Sequence, residues 1–342
     1  MQARIQMGTF MTPAGKVFDN RVTRLLGVDI PILQAPMGHI AKPALVAAMA
    51  EAGAVGLVPG SLGHDETRAD IHRIRELTDR KFGVNIPIAF VKDPAIVQLI
   101  VDEGIEFVTT SAGSPAKYTP VLKEAGLTVF HVVPSLTAAL KAIDAGVDGL
   151  VVEGSEGAGF KNPRDVSTMV LLPLICSRVG VPVIAAGGIA DGISMAAAFA
   201  LGAEGVLMGT RMLTAAEALV HDNLKQAVVN AAETDTMIIN RHNGRPVRVM
   251  RTETTSEWEF ATEGSPATLL GNIADMYRNG DLETSLPQFG QVAGRIDGIL
   301  PAGEIIRQTV EEFQSVIGRL ADQYVGASED EDVIWDDAAL AG

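Results

Sequence analysis

Two pairs of small residues, well separated in the chain, have the makings of an anion cup. Gly187-Gly188 follows the apolar run Val183-Ile-Ala-Ala186, and Gly209-Thr210 follows Gly205-Val-Leu-Met208. Glycine lets backbone N–H groups approach an anion with no Cβ in the way, and a helix opening after each pair would add a favourable dipole. An isolated Gly-Gly is more simply a tight turn. Two such pairs, each at the carboxyl end of an apolar run, favour a phosphate cup.

Other residues with chemical potential cluster at comparable places. Gln34-Ala35-Pro36-Met37-Gly38-His39 follows one apolar run, and Glu153-Gly154-Ser155-Glu156-Gly157-Ala158-Gly159-Phe160-Lys161 follows another. Asn85 and His131 sit at or near the ends of two more. His39 and His131 stand out as candidate proton-handling groups, each weighed against a structural hydrogen-bonding role. Ser155, Glu156 and Lys161 are further candidates. Glu156 could bind a ligand hydroxyl or merely cap its loop, and Asn85 could be a turn residue. His64, His72, His221 and His242 fall in helical or peripheral segments and read as solvated. The single cysteine, Cys176, lies in Leu-Pro-Leu-Ile-Cys-Ser and reads as a core thiol on a helix rather than a nucleophile. No Cys/His grouping has metal-ligand spacing.

These residues need a scaffold that brings strand ends together. A junction of helix end, glycine and apolar strand recurs at Gly53, Gly104, Gly126, Gly146, Gly180 and Gly202, where glycine just past a helix supplies a left-handed cap. With Ile32–Ala35 and Phe82–Asn85 the apolar strands number eight. Helix-length segments lie between them, at Pro43–Glu51, Asp65–Thr78, Pro94–Glu103, Ser135–Asp144 and Gly192–Leu201 among others. Short, continuously apolar strands are expected where helices cover both faces. The pattern predicts an α/β fold, a (β/α)₈ TIM barrel with a small, mostly helical C-terminal cap; an open doubly wound sheet is the alternative. In such a barrel the loops after the strands carry the site, and those are the loops already singled out.

Residues 21–214 plus 303–324 are expected to form the barrel, 215–302 a cap beside its mouth, and 325–342 an acidic tail. Ala215–Ala232 reads as one long helix and Gly303–Leu320 as a final one, with Trp258 and Phe260 as anchors between. Of the ten residues Ser328–Asp337 six are acidic, as in a solvated terminus. A net charge of −15 over 342 residues opposes nucleic acid as a partner. The sequence has neither an apolar leader nor a stretch approaching the roughly 18 residues of a spanning helix, so a cytoplasmic protein with no membrane partner is expected.

Taken in order and register, Gln34–His39, Phe82–Asn85, Glu153–Lys161, Ala185–Ile189 and Met208–Arg211 resemble the nitronate monooxygenase family, formerly called 2-nitropropane dioxygenases. Gln291-Val-Ala-Gly294 is similar to the family's returning loop near the flavin. The resemblance implies FMN, with its phosphate on Gly187, Gly188, Gly209 and Thr210. Ala35, Pro36 and Met37 would lie against the ring, Asn85 at its polar edge, and Glu153 and Gly159 in the surrounding loop. One departure stands out. Many members carry a histidine base at the end of Gly-Ser-Glu-Gly-Ala-Gly, where this chain has Phe160, and Val132 replaces a lysine found after His131 in quinone-reductase-like members. A phenyl ring accepts no proton, so the implied substrate pocket is less basic than usual.

The leading expectation is an FMN-dependent oxidoreductase that oxidises a small nitronate or related carbanion with O₂. The rival is an NAD(P)H-dependent quinone or enoyl-thioester reductase, NAD(P)H acting as a transient donor. A flavin-free sugar-phosphate isomerase or lyase and a non-catalytic binding protein are alternatives from other classes. The expected partner is a small-molecule substrate, and a homodimer is an assembly the reading admits.

Overall fold

The computed structural model describes residues 18–91 and 93–325. The acidic run Ser328–Asp337 and Trp335 therefore lie outside the described residues. Eight strands make one parallel sheet: β1 (Ile32–Gln34), β2 (Leu57–Pro59), β3 (Gly83–Pro87), β4 (Phe107–Ser111), β5 (Thr128–Val133), β6 (Gly149–Glu153), β8 (Val183–Ala186) and β9 (Gly205–Met208). They run in the order β1-β9-β8-β6-β5-β4-β3-β2. A parallel bridge between Leu33 and Val55 joins the two ends, with Gln34 N–H donating to Val55 O at 2.9 Å and Val55 N–H to Ile32 O at 2.9 Å. The sheet thus closes as the expected barrel.

The interior of the barrel is filled by Leu33, Leu57, Phe107, Phe130, Val151 and Ile184, while the opening helix Arg21–Leu26 adds Val22 and Leu26 to the same cluster. Phe107 and Phe130 meet edge to face at 5.5 Å, a favoured aromatic geometry. Gly149 makes that possible, because a Cβ there would lie 2.4 Å from the Phe130 ring. A second, larger apolar layer lies between the strands and the surrounding helices.

After β9 comes a single helical turn, Thr210–Leu213, and then an excursion that does not return to the barrel until Ala302. The helix Ala302–Tyr324 closes the ring by packing against Gly192–Ala200. The crossing is close: a Cβ on Gly192 would sit 2.2 Å from Phe313 N. Glu312 Oε2 accepts from Gly192 N–H at 2.8 Å.

The excursion differs in detail from the mostly helical cap expected. The helix there is Asp222–Val229, shorter than Ala215–Ala232. An antiparallel hairpin follows, β10 (Thr236–Ile239) and β11 (Val247–Met250). Its third strand, β7 (Gly159–Phe160), comes from the loop after β6, with Val247 opposite Phe160. Met237, Ile239, Val247, Val249 and Leu286 form a small core against which Trp258 packs. Phe260, the other expected anchor, is 86% exposed. Among the described residues no helix is long and apolar enough to cross a membrane.

Candidate functional site

A cavity of about 530 Å³ opens at the carboxyl ends of the barrel strands. The loop after β1 supplies Ala35, Pro36, Met37 and His39; the loop after β6 supplies Glu153, Glu156, Gly159 and Phe160. Gly187-Gly188 and Gly209-Thr210 form one end. The phosphate residues and ring-bed residues expected from the sequence thus share one space, although they come from three separate strand ends.

The cup is made of backbone. Gly187 and Gly188 have φ of +88° and +78°, a left-handed conformation that side chains resist. Among the described residues the N–H groups of Gly187, Gly188 and Gly209 have no hydrogen-bond partner. A Cβ on Gly187 would lie 3.0 Å from Gly154 O. These free donors in a space a methyl group would crowd fit a bound phosphate. The expected contribution from helix dipoles is smaller than the sequence suggested. The helix after Gly188 begins only at Gly192, and Asp191 already caps it through Ser194 N–H at 2.8 Å. The helix after Gly209 is one turn long.

Polar side chains around the cup are mostly committed. Glu156 accepts from Thr168 N–H at 2.8 Å and from Thr168 Oγ1 at 3.0 Å, and Thr168 Oγ1 donates in turn to Gly187 O at 2.9 Å. Glu156 therefore braces the glycine turn from behind. Gly290 N–H donates to Thr210 Oγ1 at 2.8 Å and Gln291 N–H to Glu156 O at 3.0 Å. This returning loop, with Val292 on the cavity wall, locks the two halves of the cup together. Lys161 and Glu153 form an ion pair in which the lysine side chain is only 4% exposed, and Lys161 does not reach the cavity wall. Ser155 also lies outside the lining and offers its carbonyl to Arg248 Nε at 2.9 Å.

Two expected site residues sit elsewhere than the sequence suggested. His131 does not reach the cavity lining; it is 4% exposed and hydrogen-bonded through Nδ1 to Thr110 Oγ1 at 2.7 Å. Burial depresses its imidazole to about 4, partly offset by a hydrogen bond to the Gly113 backbone, so the ring is neutral at neutral pH. Its position on β5 pairs with Thr110 on β4 and turns it into the barrel wall. Asn85 is likewise buried, its amide donating to Thr109 Oγ1 at 2.9 Å and Ser111 Oγ at 3.3 Å. His39 does line the cavity, and burial lowers its pKa from the usual value.

Phe160 stands on the cavity wall, 5.3 Å from the ring of Phe90. Phe90, Leu270, Ile273 and Tyr277 are lining residues that sequence reasoning missed. Phe90 follows a strand whose polar end drew attention instead. Leu270, Ile273 and Tyr277 come from a cap segment with no periodic signal that says which face meets the barrel. Cys176 ends the helix Thr168–Cys176, half-buried, with burial pushing its thiol up to about 11.

Known proteins are similar to this chain in sequence and in fold. A dehydrogenase of Mycobacterium tuberculosis, named for (3aS,4S,5R,7aS)-5-hydroxy-7a-methyl-1-oxo-octahydro-1H-indene-4-carboxyl-CoA, is 37% identical over 70% of this chain and 68% of its own. A probable nitronate monooxygenase of Staphylococcus aureus is 28% identical over 87% of this chain and 98% of its own. The structure of FabK from Thermotoga maritima superposes with a TM-score of 0.84 at 38% identity, covering 89% of this chain and 99% of FabK. Residues 19–96 and 89–312 match the nitronate monooxygenase family. A match over most of the chain, on a barrel with this strand-end cavity, means that the protein belongs to the nitronate monooxygenase family and is a flavin-dependent oxidoreductase.

Proposed function

We propose that the chain binds FMN and uses it to oxidise or reduce an apolar acyl thioester at the carbons next to its carbonyl, with NAD(P)H as the donor in the reductive direction. The observation that carries this reading is the apolar wall opposite the cup. Phe160 pairs with Phe90, while Leu270, Ile273 and Val292 continue the same surface; by the family resemblance Phe160 stands in place of a base. That wall suits an acyl group and itself carries no proton acceptor, His39 lying on the loop after β1. Support also comes from the relatives: the mycobacterial one is named for a carboxyl-CoA substrate.

In this reading Gly187, Gly188, Gly209 and Thr210 hold the FMN phosphate through backbone donors, and Ala35, Pro36 and Met37 provide the apolar bed for the ring. Asn85 acts from beneath, tying the ends of β3 and β4 together through Thr109 and Ser111. His131 serves the same purpose between β4 and β5. The flavin supplies two-electron redox chemistry, accepting or giving a hydride. The protein orients the acyl chain along the Phe90–Phe160 pair and leaves the bond next to the carbonyl against the ring.

Oxidation of a preformed nitronate is the second reading, because such an anion needs no base and the family bears that name. Anaerobic mixing separates the two. NADH or NADPH should bleach the flavin, and an apolar 2-enoyl thioester should then restore its colour. Bleaching by an alkyl nitronate together with inertness to both nicotinamides would overturn the thioester reading.

A further inference from the structure

Three of the six polar side chains that line the cavity have protein partners among the described residues. Glu153 is tied to Lys161, Glu156 to Thr168, and Thr210 to Gly290. His39, Gln288 and Tyr277 have none, and of these Tyr277 is the buried one. Its side chain reaches the cavity wall while the residue is only 6% exposed, and its hydroxyl has no hydrogen-bond partner among the described residues. The hydroxyl is not sealed in protein either: among the described residues the side-chain atoms with neither a partner nor accessible surface are those of Tyr118 and Thr119. A phenol kept almost dry, unpaired and open to the cavity is costly unless something arrives to accept from it.

The position of Tyr277 is built. It lies on the short helix Ile273–Asn279, which ends at Gly280 in a left-handed cap with φ +73°. Its carbonyl accepts from His221 N–H at 2.8 Å, and the neighbouring Met276 is buried in the main core. The His39 ring packs beside it with centroids 6.4 Å apart. His39 is only half-buried, so Tyr277 is the drier donor of the two, and a donor is worth more where water is excluded.

We propose that the Tyr277 hydroxyl donates a hydrogen bond to the carbonyl oxygen of the substrate thioester and holds the negative charge that develops there. The role rests on the thioester reading above. In the reductive direction a hydride forms the new C–H bond at Cβ. The Cα=Cβ π pair moves into the Cα–carbonyl bond, and the carbonyl π pair moves onto oxygen. A proton from solvent then adds at Cα as that oxygen returns its pair. NAD(P)H is the ultimate reductant, and Tyr277 keeps its own proton throughout. Desolvation raises the phenol pKa, which keeps it a donor over the whole working pH range.

Two half-reactions of the FMN-loaded full-length chain test this. In Tyr277→Phe the reduction of flavin by NAD(P)H should proceed as in the wild type. Reoxidation by an apolar 2-enoyl thioester should slow by about 10²–10³-fold, the usual effect of losing one oxyanion donor. Affinity for the saturated thioester should change far less than the rate, because the bond strengthens only as charge appears. The substitution removes one oxygen that has no partner in the protein, so flavin content and melting temperature should be unchanged. Equal reoxidation rates in the two proteins would overturn the role of Tyr277 while leaving the substrate reading intact. A wild-type flavin that thioesters cannot reoxidise would overturn both.

Discussion

At Gly188 one methyl group decides between a working cup and a strained one. With φ at +78° the Gly188→Ala variant carries about 1–2 kcal/mol of backbone strain, most easily relieved by rotating the N–H away from the ligand. FMN affinity should fall about tenfold or more for that cost, as measured by flavin fluorescence titration. His131 gives a prediction with a pH sign. Its folded pKa of about 4 lies below the ordinary 6.5, so the unfolded chain binds more protons between those values. The stability it permits is fully present above pH 6.5 and is lost as the pH falls toward 4. The total is about 3 kcal/mol at 1.36 kcal/mol per pH unit. Urea midpoints of wild type and His131→Gln at pH 7.5 and pH 5 check this. The variant should lose less on acidification, and equal losses would remove His131 from the acid response. That an apolar Phe160 follows Gly159 was legible in the sequence, whereas the burial of His131 was not. A strand-end histidine can face the mouth or the neighbouring strand, and only the β4 register with Thr110 decides which.

Elements were the most legible scale. Glycine after a helix marked the junctions at Gly53, Gly104, Gly126, Gly146 and Gly202, all of which take positive φ. Gly180 is the exception: it falls outside the positive-φ set, so its place in the pattern came from composition alone. Within the strands, Gly149 is a packing residue, matched to Phe130. Gly149→Ala should destabilise by about 1–3 kcal/mol through overpacking, and Phe130→Leu should recover part of the loss in the double variant, read by denaturant midpoint. Independent, additive effects would show that the two residues do not share the space. The cap was the least legible element. Its hairpin takes its third strand, β7, from the loop after β6, over 80 residues from its pairing partner β11. A two-residue strand has no period to detect. That pairing has a purpose the sequence hides: it fixes Phe160 and the loop that braces the cup.

For the whole molecule, closure of the ring by Ala302–Tyr324 makes the barrel depend on chain that arrives after the cap. Ile306 is 1% exposed in that helix. Ile306→Ala should cost about 2–5 kcal/mol, and excess FMN at 100 times its Kd should restore about 2.7 kcal/mol through mass action. Thermal melts with and without FMN measure both quantities; a variant as stable as wild type would mean the helix is not part of the barrel's cooperative unit. The alternation of short apolar strands with glycine-terminated helices pointed to a parallel sheet with a barrel favoured over an open one, because local periodicity and cap chemistry are written in neighbouring residues, and the Leu33–Val55 bridge decided the closure. The glycine pairs at the two strand ends were likewise legible, since backbone approach requires glycine wherever the fold places it. Which side chains face the substrate was left to the tertiary structure. Ile273 and Tyr277 join Phe90 on the cavity wall because the cap is folded back on the mouth, and that placement depends on long-range packing that no local pattern encodes.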